Sequence, residues 1–176
     1  IFTDLALLFY YKYYNFFATN VLSEKYLVSE LILPIGISFF TFTQVAFLID
    51  TYQGKAEKSD IVSYGLFVTI FPHLIAGPIL HHKEMLKQFN SNEMFRVNWR
   101  NIAQGIFLFT IGLSKKVVIA DYLAVFVKPI FDNSIPDISF LQAWFGALSY
   151  TLQLYFDFSG YSDMSVGLGL LFNLHL

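Results

Sequence analysis

The sequence predicts an all-α, polytopic integral membrane protein with broken or re-entrant helices, and three observations predict it. Hydrophobic residues make up 56% of the 176 residues and charged residues only 14%, against roughly 25% charged in a soluble domain. A soluble fold of this length would lack the polar side chains to cover itself. About five or six stretches approach the roughly 20 apolar residues that cross a bilayer, too long and too apolar for the strands of a barrel. The 21 Phe and 11 Tyr suit lipid-facing surfaces and the headgroup belt. A net charge of −2 argues against a nucleic-acid partner. The absence of Cys excludes a disulfide framework and thiolate metal sites.

The first apolar segment runs from Ile1 to about Val21 through the aromatic block Phe9-Tyr-Tyr-Lys-Tyr-Tyr-Asn-Phe-Phe17, from which Lys12 can snorkel to an interface. The second, Leu31 to Ile49, begins Leu33-Pro-Ile-Gly36, and its Ser, Thr and Gln side chains suit packing against other helices. A polar connection, Asp50 to Asp60, follows, with Ser59-Asp60 as the N-cap of the next helix. The third segment, Ile61 to Leu80, contains Phe71-Pro-His-Leu-Ile-Ala-Gly-Pro-Ile79. Two prolines flanking a glycine cannot form an unbroken helix, and irregular backbone at membrane depth needs protein or a wet cavity to satisfy it. His81 to Asn101 mixes Met, Leu, Phe and Trp with Lys83, Lys87, Arg96 and Arg100, the pattern of an amphipathic segment at the interface.

Ile102 to Phe131 is too long for one span and carries Lys115-Lys116 in its middle and Asp121 shortly after, so two shorter helices meeting near an interface are expected. The turn-rich Phe131-Asp-Asn-Ser-Ile-Pro-Asp137 separates it from a fifth segment, Phe140 to Phe156. That segment enters a polar cluster and continues to Phe172, and Gly167 and Gly169 there permit close helix packing. Neither end has a leader, cap or hydrophilic exit, so residues 1–176 are expected to be an internal piece of a single membrane domain in a longer chain. If the segments alternate, the loops bearing Lys25, Lys83, Lys87, Arg96 and Arg100 share one face, against chiefly Lys55, Lys58 and Lys128 on the other, so the first face is expected to be cytoplasmic; a re-entrant third segment would break this count.

The polar cluster is Tyr155-Phe-Asp-Phe-Ser-Gly-Tyr-Ser-Asp163. Carboxylates facing hydrocarbon are costly, so such groups normally turn toward a protein interior or a water-filled path. Asp157 and Asp163, with Ser159 and Tyr161 between them, have two readings. They line a tunnel, or they are structural, with Ser159-Gly160 breaking the helix and Asp157 capping it or pairing with Lys115 or Lys116. A cation held between the two carboxylates is disfavoured, because the spacing lacks the glycine and terminal Glu of a calcium loop. No metal site is expected.

Four blocks in order carry a resemblance: Leu33-Pro-Ile-Gly-Ile-Ser-Phe-Phe-Thr-Phe-Thr-Gln44, Phe71 to Ile79, Gly112-Leu-Ser-Lys-Lys-Val-Val-Ile-Ala-Asp121, and Tyr155 to Asp163. Together they resemble the signature blocks of membrane-bound O-acyltransferases, in the bacterial alginate O-acetyltransferase-like branch related to the teichoic-acid D-alanyl transferase. The resemblance implies a funnel-shaped helical enzyme of the bacterial inner membrane, multi-pass, moving an acyl group, usually acetyl, onto hydroxyls of an extracytoplasmic polysaccharide. It implies membrane lipid, a polysaccharide acceptor and a periplasmic or extracellular acetyltransferase as partners. No cofactor is expected to be bound, and the donor is acetyl-CoA or an acyl carrier.

The family's catalytic histidine lies in a Trp-His element after the Tyr155 block. Here Trp99 is followed by Arg100 and Trp144 by Phe145, so no catalytic residue is expected within these residues, and the segment alone is expected to be inactive. Of the histidines, His73 sits in an apolar segment and either lines the tunnel or bonds a carbonyl freed by Pro72 or Pro78. His81 and His82 are expected at the membrane surface. The candidate tunnel-lining or structural positions are therefore His73, Lys115, Lys116, Asp121, Asp157, Ser159, Tyr161 and Asp163. A polytopic transporter or channel for a small polar solute is the rival reading, since broken helices and buried charges serve it equally well. An assembly subunit that positions an extracellular transferase is a third.

Overall fold

The computed structural model describes residues 1–22, 28, 32–56, 60–73, 77, 82–132 and 137–176, and every regular element among them is helical. These residues form two compact units, one of residues 1–75 with 79–91, the other of 76–78 with 92–176.

In the first unit the opening aromatic segment is a helical run in which α1 (Phe2–Leu8) and α2 (Tyr14–Phe17) alternate with wide π-type turns at Phe9–Tyr13 and Ala18–Leu22. Lys12 does not simply snorkel: its ammonium donates to Ser38 Oγ at 2.9 Å. That serine lies in α3 (Ile37–Tyr52). The Leu33-Pro-Ile-Gly36 stretch is the turn that launches α3. The Ile37 amide donates to the Pro34 carbonyl at 3.3 Å, and Gly36 takes φ 72°, a left-handed conformation that costs glycine nothing.

Asp60 occupies the N-cap position of α4 (Ile61–Thr69) in extended backbone. The Ser63 hydroxyl holds its exposed carboxyl below the ordinary value; Ser59 lies outside the described residues. The expected break in the third segment is present: α4 stops at Thr69, Ile70 is extended, and Phe71–His73 form a single 3-10 turn around buried Pro72. The rest of that motif, Leu74 to Ala76 and Pro78 to Leu80, lies outside the described residues, as does His81.

The amphipathic segment expected over His81 to Asn101 is helical and amphipathic only in its first part, α5 (His82–Phe89), which buries His82, Met85, Leu86 and Phe89 on one face while Lys83, Glu84 and Lys87 stay exposed; a separate 3-10 turn, Asn92–Phe95, follows. The buried face of α5 is the i, i+3, i+4, i+7 stripe of a half-buried helix. His82 is packed within the first unit. It is 6% exposed, set edge-on to Phe47 at 5.3 Å between ring centroids, with Nδ1 3.6 Å from Asp50 Oδ2. The apolar stripe of α5 includes position 82, and this draws the ring into aromatic packing.

The second unit is built on two long antiparallel helical runs. Asn98 caps α6 (Trp99–Ser114) by accepting from the amides of Arg100 and Asn101. A wide π-type turn, Lys115–Ala120, then leads without a break into α7 (Asp121–Phe131). The two short helices expected here are thus one run of 33 residues, Trp99–Phe131, which among the described residues is the helix long and apolar enough to cross a membrane. Ser139 and Gln142 form a capping box that starts α8 (Phe140–Leu171).

The helix break expected at Ser159-Gly160 is absent, and α8 is continuous through it. The reason is packing. A Cβ on Gly160 would lie 2.7 Å from the Gly112 carbonyl oxygen, and one on Gly167 would lie 2.6 Å from that of Gly105. These are distances that real Cβ atoms do not reach, so the glycines let two backbones touch rather than bend one of them. The pairs 112/160 and 105/167 run in opposite order along the two helices, which fixes them as antiparallel.

Candidate functional site

The glycine contacts set the distance at which the polar cluster meets its partners. Gly160 carries no side chain, so the backbone at Lys115 and Lys116 closes onto α8; a Cβ at Gly160 would stand 3.1 Å from the Lys116 amide nitrogen. Lys115 Nζ reaches Asp163 Oδ2 at 2.6 Å and Ser159 Oγ at 3.1 Å. Lys116 Nζ reaches Asp157 Oδ1 at 2.6 Å and Asp121 Oδ1 at 2.9 Å. The Lys116–Asp157 contact is an ion pair rather than an aligned hydrogen bond, since Asp157 Oδ1 has no hydrogen-bond partner of good geometry.

Adjacent residues on a helix diverge by about 100°, so two consecutive lysines do not normally serve one neighbouring helix. Here they do so at different heights of α8. Lys115 goes to Ser159 and Asp163, and Lys116 goes to Asp157, about one and a half turns away along the axis. Lys116 is also where the π-type turn passes toward Asp121, whose half-exposed carboxylate closes the ladder on α7.

Chemically the ladder is an array of fixed, paired charges, two ammonium groups among three carboxylates. Each ammonium is bound by at least one carboxylate, so neither lysine is poised to act as a base or nucleophile. Asp157 and Asp163 are held by different lysines, which leaves neither turned toward a shared cation. Lys115 and Asp163 are each 29% exposed at the side chain, so the ladder is open on one side.

Six of the sequence-predicted positions therefore come together: Lys115, Lys116, Asp121, Asp157, Ser159 and Asp163. Tyr161 lies on the same helix, half-buried, with no hydrogen bond or ion pair among the described residues. His73 closes the 3-10 turn of the first unit, and its side chain lies outside the described residues. Ser165 is 2% exposed with an unpaired hydroxyl, because it sits between Gly160 and Gly167 at the close-packed helix seam.

Sequence reasoning passed over the asparagines at the start of α6. Asn101 Nδ2 donates to Asn173 Oδ1 at 2.9 Å, and Asn173 takes φ 56°. The one available signal was Asn173 just past a helical pattern, the usual place for a left-handed residue.

Residues 3–175 match the model of the membrane-bound O-acyltransferase family. The chain belongs to that family. It is 45% identical to the peptidoglycan O-acetyltransferase of Helicobacter pylori over 98% of this chain and 38% of that protein. It is 44% identical to the probable alginate O-acetylase of Pseudomonas putida over 96% of this chain and 35% of that protein. With its Pseudomonas aeruginosa counterpart the identity is 43%, over 96% of this chain and 33% of that protein. The chain thus spans about a third of the length of the curated relatives it matches.

Proposed function

We propose that this chain is part of a multi-pass O-acetyltransferase of the bacterial inner membrane that transfers acetyl groups to hydroxyls of an extracytoplasmic polysaccharide. The observation that carries the reading is family membership together with relatives named for acetyl transfer to peptidoglycan and alginate. In this reading the donor, acetyl-CoA or an acyl carrier, arrives from the cytoplasmic face. The base that takes the acceptor's proton lies in sequence beyond these residues, and an extracytoplasmic transferase completes delivery. The ladder of Lys115, Lys116, Asp121, Asp157 and Asp163 faces the protein interior or the wet path through it, because its open side at membrane depth is too polar for lipid. It fixes the wall of that path. The chain alone is inactive on this account.

The test is polysaccharide O-acetylation by the full-length protein in cells, read as base-released acetate at matched membrane levels. Asp157→Ala, which strands Lys116 beside Asp121 alone, is expected to lower acetylation at least about tenfold, the equivalent of 1.4 kcal/mol. Phe158→Leu, at an exposed neighbouring position, is expected to leave it within about twofold. Equal acetylation by the two variants would sink the role given to the ladder. A full-length protein that released no acetate from any surface glycan would sink the function itself.

A further inference from the structure

The ladder leaves one cluster of charge unexplained. At the start of α6 lies a polar cleft of about 450 Å³ whose lining includes Glu93, Arg96, Trp99, Arg100, Asn173 and His175. Its frame is built from asparagines. Asn98 Oδ1 accepts from the amides of Arg100 and Asn101 at 3.1 and 3.3 Å. Asn101 donates to Asn173, and Asn173 Nδ2 donates in turn to the carbonyls of Glu93 and Arg96. This clasp holds Asn173 left-handed, a conformation that asparagine tolerates better than most residues.

The frame engages the Arg100 and Asn101 amides at the start of α6, so these are not free to meet a ligand. What remains are the guanidinium groups of Arg96 and Arg100. Both residues are exposed, and among the described residues no ion pair engages either. Glu93 is the one acid in the lining, so the cleft carries an excess of positive charge. Trp99, with most of its side chain exposed, supplies an apolar wall.

We propose that this cleft is a binding site for a phosphate ester, gripped by Arg96 and Arg100. The guanidinium fork matches two phosphate oxygens at once and is always charged, and the asparagine frame holds the backbone from which both arginines project. Trp99 and Lys115 are separated by about 24 Å along the helix at 1.5 Å per residue, so this site is distinct from the ladder. The phosphate has two sources: the phosphates of the acyl donor, an arm that rests on the acetyltransferase reading, or the headgroup of an anionic lipid, an arm that does not.

The experiment uses the full-length protein in phosphatidylcholine nanodiscs, titrated with coenzyme A and separately with inorganic pyrophosphate. A second set of nanodiscs contains phosphatidylglycerol and no coenzyme A, and thermal stabilisation by the lipid is read. Arg96→Gln and Arg100→Gln are each expected to weaken the phosphate ligand about tenfold, as loss of a charged hydrogen bond predicts. The corresponding lysine variants should recover only part of that. Should a glutamine variant fail to fold, judged by its melting curve without ligand, the lysine variants carry the same comparison.

Weakened coenzyme A and pyrophosphate binding with unchanged lipid response assigns the donor. Loss of the lipid response with coenzyme A binding unaffected, or absent in the wild type, assigns the lipid. Wild-type affinity for all three probes in folded variants overturns the site and leaves the acetyltransferase reading standing. Arginine-dependent phosphate binding by a protein that acetylates no glycan would do the reverse.

Discussion

Two regions of the same helical run treat charge in opposite ways. Midway along the α6–α7 run, Lys115 and Lys116 are neutralised by Asp121, Asp157 and Asp163. At its start, Arg96 and Arg100 stand in a cleft with no ion pair among the described residues. The difference follows from what surrounds each. Mid-helix charge in an apolar run is tolerable only with a partner close by, and the glycine seam brings that partner within 2.6 Å. Charge at a helix end that reaches water has no such requirement and remains available to a ligand. Paired charge in this molecule therefore reads as scaffold, and unpaired charge as recognition.

The strongest way to break this comparison is to separate the helices. Gly160→Leu would force a side chain against the Gly112 carbonyl and the Lys116 amide, backbone atoms that cannot swing aside. Its cost is expected to reach about 3 kcal/mol, the upper range for overpacked cores. Thermal unfolding of the full-length protein in detergent reads it. Gly65→Ala, where an added Cβ meets nothing within 4 Å, is the control. If both variants melt alike, the seam does not hold the ladder together.

A milder disruption leaves the seam and strands one charge. Lys115→Met removes the partner of Asp163 and is expected to destabilise by about 2 kcal/mol, below the 3–5 kcal/mol of a fully buried broken pair because both groups keep some exposure. The double variant Lys115→Met/Asp163→Asn should recover at least half of that loss. Additive single effects in this cycle would mean that the pair contributes nothing as a pair.

The smallest effect belongs to Ser165. Its hydroxyl is buried without a partner, so Ser165→Ala removes an unsatisfied group and keeps the small volume that the seam needs. Stability is expected to be unchanged or to rise by up to about 1 kcal/mol. A loss larger than that in the same melting assay would reveal a hydrogen bond made by Ser165 in the full-length protein.

Much of this was legible in the sequence. The all-helical class followed from apolar runs too long for strands, and the chain's family followed from four ordered blocks. The break after Thr69 followed from Pro72, since proline's missing amide acts locally and needs no partner. The candidate polar residues were legible as a group because carboxylates and ammonium groups in apolar sequence must be accommodated somewhere. Their mates were named only as a region, Lys115 or Lys116. The errors share one cause. Gly160 was read as a helix breaker and Lys115-Lys116 as a boundary between helices. Each is a local reading of a residue whose role is set by a helix about fifty residues away in the chain.

The sequence by itself thus determined what each stretch is: helix, turn, apolar run or polar interruption. Those properties come from side-chain volume, backbone freedom and hydration, which a residue carries with it. Only the tertiary structure decided which polar groups are neutralised and which remain open. That outcome depends on Gly105 facing Gly167 and Gly112 facing Gly160 across two antiparallel helices. Pairing energy rises steeply as charges approach in a poorly polarisable medium, and the distance of approach is a property of neither helix alone.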